Sequence, residues 1–161
     1  MISIVNVVVS PVVNKSRFLL IKRIKPPYVG FWCLPGGKIE FEEHIKEAIA
    51  REIYEEAGIK VKFIALRGIV SEFLYTGKRK TDHFMIWVCD TKTLNDQIKS
   101  SSEGRVRWFS KNELLKYRKQ IIPSDFAMIK TFFLGKKQKI KLHRSTIKSD
   151  GKIYKLEYFG V

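Results

Sequence analysis

Residues Gly37 to Ile59 read GKIEFEEHIKEAIAREIYEEAGI, and this stretch decides how the rest of the chain is understood. Pro35 and Gly36 stand immediately before it, so the chain turns on entry. From His44 to Ala57 there is neither glycine nor proline, and helix formers dominate. Glu42 and Glu43 stand where the first turn of a helix favours negative charge, and Gly58 is a helix stop. The pattern predicts a glycine loop feeding one helix of roughly four turns.

At about 100° per residue, Ile45, Ala48, Ile49, Ile53 and Ala57 form an apolar arc. Glu52 and Glu56 fall inside that arc, beside Ile45 and Ile49, and Glu55 flanks it. A helix needing only solubility would carry its acids on the opposite face. Like charges four residues apart also repel, by about 0.2–0.5 kcal/mol. Carboxylates crowded on a half-buried face need a counter-charge, and a divalent metal supplies one. Oxygen ligands alone suit Mg²⁺ or Mn²⁺ rather than Zn²⁺. For Glu55 and Glu56 taken alone, the competing reading is an acidic surface helix.

The whole string resembles the Nudix hydrolase signature, G-x5-E-x7-R-E-U-x-E-E-x-G-U with U aliphatic. Gly37, Glu43, Arg51, Glu52, Ile53, Glu55, Glu56, Gly58 and Ile59 all match it. Leu34-Pro35-Gly36-Gly37 looks like the family's usual lead-in. The resemblance implies an α/β fold, an α/β/α sandwich around a mixed sheet, over residues 1–135. Residues 136–161 are a basic extension that it does not explain, read as a hairpin packed on the same domain.

The implied activity is hydrolysis of a pyrophosphate bond in a nucleoside diphosphate linked to another group. Mg²⁺ is the implied cofactor, with Mn²⁺ as a substitute. Glu52, Glu55 and Glu56 take the family's metal-ligand role, joined by the backbone carbonyl of Gly36. Arg51 orients a glutamate, and Glu43 supports the junction of loop and helix through Arg51. Glu103, in the loop before Arg105-Val106-Arg107-Trp108-Phe109, resembles the late-loop glutamate of the MutT-like nucleoside-triphosphate branch. It is assigned as metal ligand or base, against the alternative of an ordinary loop acid.

Substrate contacts are read more broadly. Arg23, Lys38 and the run Lys78-Arg79-Lys80 are candidates for phosphate binding. Phe31, Trp32, Phe73, Tyr75 and Phe126 are candidates for base stacking, although aromatics in alternating strands are commonly core. Tyr75 stands where the dinucleoside-polyphosphate branch has a tyrosine. The proline that marks the ADP-ribose branch is missing between Ile59 and Pro123. Resemblance around Glu103 and Trp108-Phe109 makes the favoured substrate a (d)NTP or an oxidised nucleotide, cleaved to the monophosphate plus diphosphate. The alternatives are ADP-ribose, a dinucleoside polyphosphate, an RNA 5′ end, or nucleotide binding without hydrolysis by a regulator of the same fold.

At 161 residues the chain is one domain with room for a core. Its 31 basic residues outnumber 16 acidic ones, for a net charge of +15. Such a balance attracts polyanions, including nucleic acid through the basic tail, unless it reflects only a lysine-rich surface. A nucleotide remains the favoured partner, and a homodimer is compatible with the pattern. Cys33 and Cys89 are isolated, which fits a reduced, cytoplasmic setting. No run approaches the ~18 apolar residues of a membrane span. Met1-Ile2-Ser3-Ile4-Val5 lacks the basic start of a signal peptide.

Outside the central stretch, β-branched composition predicts a long strand over Ile2–Val13 and a return strand over Arg17–Lys22. Lys25–Gly30 reads as a loop and Phe31–Leu34 as a short strand. Val61–Tyr75 reads as two strands or a bent one, broken at Arg67-Gly68. Thr76–Lys80 is a basic hairpin loop before the strand His83–Cys89. Asp90–Gly104 reads as a flexible loop. Ser110 with Glu113 forms a capping box for a helix over Lys111–Tyr117. Pro123 or Ser124 opens another helix through Phe133. In the tail, Ser149-Asp150-Gly151-Lys152 marks a hairpin turn.

Overall fold

The computed structural model describes residues 3–161. The chain runs β1 (Ile4–Val9), β2 (Val13–Asn14), β3 (Arg17–Arg23), β4 (Trp32–Cys33), β5 (Gly36–Lys38) and α1 (Ile45–Ala57). It continues through β6 (Val61–Thr76), β7 (Arg79–Thr93), β8 (Gly104–Ser110), α2 (Lys111–Lys116), α3 (Pro123–Ile129), β9 (Leu142–Ser149) and β10 (Tyr154–Gly160). Six strands form a mixed sheet in the order β10-β9-β6-β7-β1-β5. In a second, antiparallel sheet β3 lies between β8 on one edge and β2 and β4 on the other.

Period-2 alternation along β3 explains the layers. Leu19 and Ile21 face the core beneath α1, with Ala48, Ile49, Ile53 and Ala57. Phe18 and Leu20 face the core beneath α2 and α3, with Phe109, Leu114, Met128 and Ile129. Helices therefore cover two opposite faces, as an α/β/α sandwich requires.

Most elements fall where the sequence places them, and a few differ. Within the described residues, the expected Ile2–Val13 strand ends at Val9; Ile2 itself lies outside them. Pro11 has no N–H to offer a ladder. Instead Ser10 donates its N–H to Pro35 O at 2.9 Å, and its Oγ accepts the Val12 N–H at 3.2 Å. Of the two forms expected for Val61–Tyr75, the chain takes the single bent strand, Val61–Thr76, whose register shifts at Phe63/Ala65, Leu66/Gly68 and Leu74/Tyr75. Glu42 and Glu43 precede α1 rather than opening it. Glu47 is the acid of the first turn, and its Oε2 accepts the His44 N–H at 2.9 Å.

The expected flexible loop Asp90–Gly104 differs too: it begins only at Leu94, after β7, and is tethered. Lys99 donates its N–H to Ala57 O at the end of α1, at 2.8 Å, and the Trp108 indole N–H reaches Asp96 O at 3.2 Å. The tail does form the expected hairpin. β9 pairs in parallel with β6 from Ile69↔Leu142 to Thr76↔Ser149 and extends the large sheet. No helix among the described residues is long and apolar enough to cross a membrane.

Candidate active site

The lead-in glycines do not form a loop; they form a strand. β5 pairs with β1 through Val9↔Gly36 and Val8↔Gly37, which brings it alongside α1. Gly36 has φ +146°, and a Cβ there would lie 1.9 Å from Val8 O. A Cβ on Gly37 would lie 2.5 Å from the Glu52 carboxylate. Only glycine permits this approach of backbone to glutamate.

The segment Leu34-Pro35-Gly36 hangs between two buried acids. Leu34 donates its N–H to Asp125 Oδ2 at 2.7 Å, and Gly36 donates its N–H to Glu56 Oε2 at 2.9 Å. Burial, helped by nearby Glu52 and Glu103 and opposed by the Gly36 hydrogen bond, pushes the Glu56 carboxyl up to about 8. Burial also raises Glu52, opposed by its hydrogen bond from Arg51.

Arg51 ties the outer side together. Its Nε and Nη2 grip Glu43 at 2.8 and 2.9 Å, a two-pronged pairing of the strong kind. Its Nη1 reaches Glu52 at 2.9 Å and Glu55 at 3.2 Å, and Nη2 also donates to Lys38 O at 3.1 Å. The Arg51 hydrogen bond holds the Glu43 carboxyl below its ordinary value. Glu55 stays half exposed.

Gly36, Gly37, Lys38, Glu52 and Glu56 line a cleft of about 400 Å³, while Glu43, Arg51 and Glu55 stand outside its lining. It is lined by six acids, Glu52, Glu56, Glu72, Asp82, Glu103 and Asp125, against two cations, Arg23 and Lys38. Glu103 reaches the cleft because the 94–103 loop is pinned to the end of α1, and it pairs with Lys25 at 3.6 Å. Arg23 is aimed by its Nε, which donates to Pro27 O at 2.8 Å.

None of the five candidate stacking residues lines the cleft. Phe31 packs edge-on against Tyr154, at 5.4 Å between centroids, and lines a separate pocket together with Phe126. Tyr75 sits near the β6–β7 turn with Lys80 5.8 Å from its ring. Lys80 also stands 3.7 Å over Phe73. The Lys78–Lys80 run and Phe73 line neither pocket, and Trp32 is buried against Phe109.

Sequence reasoning passed over Glu72, Asp82 and Asp125. Glu72 stands between the inward Val70 and Leu74 on β6, a charge on an apolar face, and that was its signal. It is buried, accepts from Ser145 Oγ at 2.8 Å, and its carboxyl is raised by burial. The hydroxyls of Tyr28 and Ser124 face it without reaching hydrogen-bond geometry. Asp125 is also buried, and its carboxyl is pushed up to about 7. At the start of a helix its sequence signal is that of a first-turn acid.

Donor chemistry fits a divalent cation: carboxylates out of water, repelling one another, with few protein cations among them. Among the described residues no three of these side chains already converge on one point, since Arg51 holds Glu52 and Glu55 while Gly36 holds Glu56.

A glycine strand against a glutamate-bearing helix, inside a two-sheet sandwich, defines the class. A family model of the NUDIX domain matches residues 3–132, and the chain belongs to that family. An ADP-ribose pyrophosphatase of Methanocaldococcus jannaschii is 42% identical over 66 residues, covering 40% of this chain and 39% of that protein. Diphosphoinositol polyphosphate phosphohydrolase 3-alpha of Mus musculus is 38% identical over 90 residues, covering 55% and 53%. The chain thus spans about half or less of these two relatives. A crystal structure of the mutator MutT protein from Bacillus halodurans superposes with TM-score 0.73 at 27% identity, covering 97% of this chain and 96% of that one.

Proposed function

We propose that this chain is a divalent-metal-dependent pyrophosphohydrolase acting on a nucleoside diphosphate linked to another group. The favoured substrate is a (d)NTP or oxidised nucleotide, yielding the monophosphate and diphosphate. The acid-lined cleft in a chain of net charge +15 carries this reading. Six carboxyl groups would repel a polyphosphate unless cations bridged the two.

Glu52, Glu55 and Glu56, with Glu103 and the Gly36 carbonyl, would hold the metal, Mg²⁺ or Mn²⁺. Such an ion lowers the pKa of a bound water and neutralises charge on the phosphoryl oxygens. Arg51 positions Glu52 and Glu55, and Glu43 steadies Arg51. Arg23 and Lys38 face the cleft as phosphate contacts. Glu72, Asp125 and Tyr28 supply hydrogen-bonding groups of both kinds, suited to a base edge that presents donors and acceptors together. A second reading, ADP-ribose, is favoured by the name of the archaeal relative.

The test is a hydrolysis panel with Mg²⁺: canonical and oxidised dNTPs, ADP-ribose, dinucleoside polyphosphates and capped RNA. Glu56→Gln should lower kcat on the best of these by at least ~100-fold while circular dichroism stays unchanged. No product across the panel, or an unimpaired variant, would sink the proposal.

A further inference from the structure

The C-terminal hairpin builds a second concave site, behind the wall of the first. A pocket of about 520 Å³ opens between β10, the turn before it and the start of α3. Phe31, Phe126 and Tyr154 supply aromatic surface, while Arg118, Lys119 and Lys152 stand exposed around it. No acid lines it. The contrast with the cleft is complete: one hollow is acidic and needs a cation, the other is cationic and aromatic.

Those features match one ligand chemistry. A flat base can stack on rings, and its phosphate can meet three cations. The volume lies within the range of small-molecule sites, about 300–1,000 Å³. We infer that this pocket binds a nucleotide unit, base and phosphate together, separately from the catalytic cleft. The ligand is either a free nucleotide or one residue of a single-stranded RNA.

The two sites share a wall one ring pair thick. Tyr28 lines the cleft and Tyr154 the pocket; their ring centroids are 4.4 Å apart, and the Tyr28 N–H donates to the Tyr154 hydroxyl at 3.3 Å. On α3, Asp125 faces the cleft while its neighbour Phe126 faces the pocket. Occupancy of the pocket therefore bears on side chains in contact with the cleft.

The inference does not depend on hydrolysis, and its test reads each site by its own backbone signals. ¹⁵N-labelled protein is titrated with AMP and, separately, with a 5′-phosphorylated RNA trinucleotide, following amide shifts by NMR. Shifts at Arg118–Ile121, Phe126 and Lys152–Leu156 are expected, distinct from cleft shifts at Leu34–Gly37, Ile122 and Asp125. The double variant Arg118→Glu/Lys152→Glu changes exposed residues only and should raise the Kd read at the pocket by at least ~10-fold. Phe126→Leu keeps apolar volume, removes the stacking face and should weaken it by a similar ~10-fold. Tighter binding of the trinucleotide assigns the pocket to RNA; equal binding assigns it to free nucleotide. Shifts confined to Leu34–Gly37, Ile122 and Asp125, or a pocket Kd untouched by both variants, would overturn the inference whether or not the cleft hydrolyses anything.

Discussion

Asp125 shows how one buried carboxyl sets a pH response. Folded, it keeps its proton up to about pH 7, because burial disfavours the charged form. Unfolded, it ionises near 3.9, about the ordinary aspartate value. Between those values the folded chain holds a proton that the unfolded chain has lost. Stability from this group is therefore full below about pH 4 and falls as pH rises towards 7, by roughly 4 kcal/mol. Burial shifts Glu72 in the same direction. Asp125→Asn keeps an oxygen to accept the Leu34 N–H and cannot ionise. Its melting temperature should fall less than that of the wild type between pH 5 and pH 8. Parallel slopes for the two proteins would count against Asp125 as the source.

At the scale of elements, the tail hairpin is part of the core. Ile147 on β9 is fully buried, and Ser145 beside it holds Glu72. Ile147→Ala should lower stability by about 2–5 kcal/mol, a drop of roughly 5–15 °C in Tm by calorimetry. A shift under a degree would mean that the hairpin rests on the domain without bracing it. Strands, helices and their caps were largely legible, because alternation, capping residues and turn glycines are local signals. α1 could be placed to within a residue from His44 and Gly58. The apolar arc of α1 also marks Glu52 and Glu56 as misplaced acids from the sequence alone. What stayed unread depends on contacts far along the chain. That the glycines pair with β1, that Lys99 pins its loop to Ala57, and that Phe31 belongs to a different hollow follow from register and docking, which no local pattern encodes.

For the whole molecule, the charge distribution is inverted: a net +15 chain encloses an acid-lined cleft. The exterior field should draw in anionic substrates, and salt should screen it beyond about 10 Å at 0.1 M. At fixed Mg²⁺, kcat/KM should fall several-fold between about 0.02 M and 0.3 M added salt, with kcat little changed. A flat kcat/KM would show that the surface lysines serve another end. The parallel pairing of β9 with β6 also has a consequence in time. β6 is made early and β9 late, so during synthesis the outer edge of β6 from Ile69 to Thr76 waits for its neighbour. Until the tail arrives, that edge offers unpaired backbone groups to any passing strand. Folding of this domain thus closes from its last segment, and a nascent chain stalled before Leu142 would be the species most in need of a chaperone.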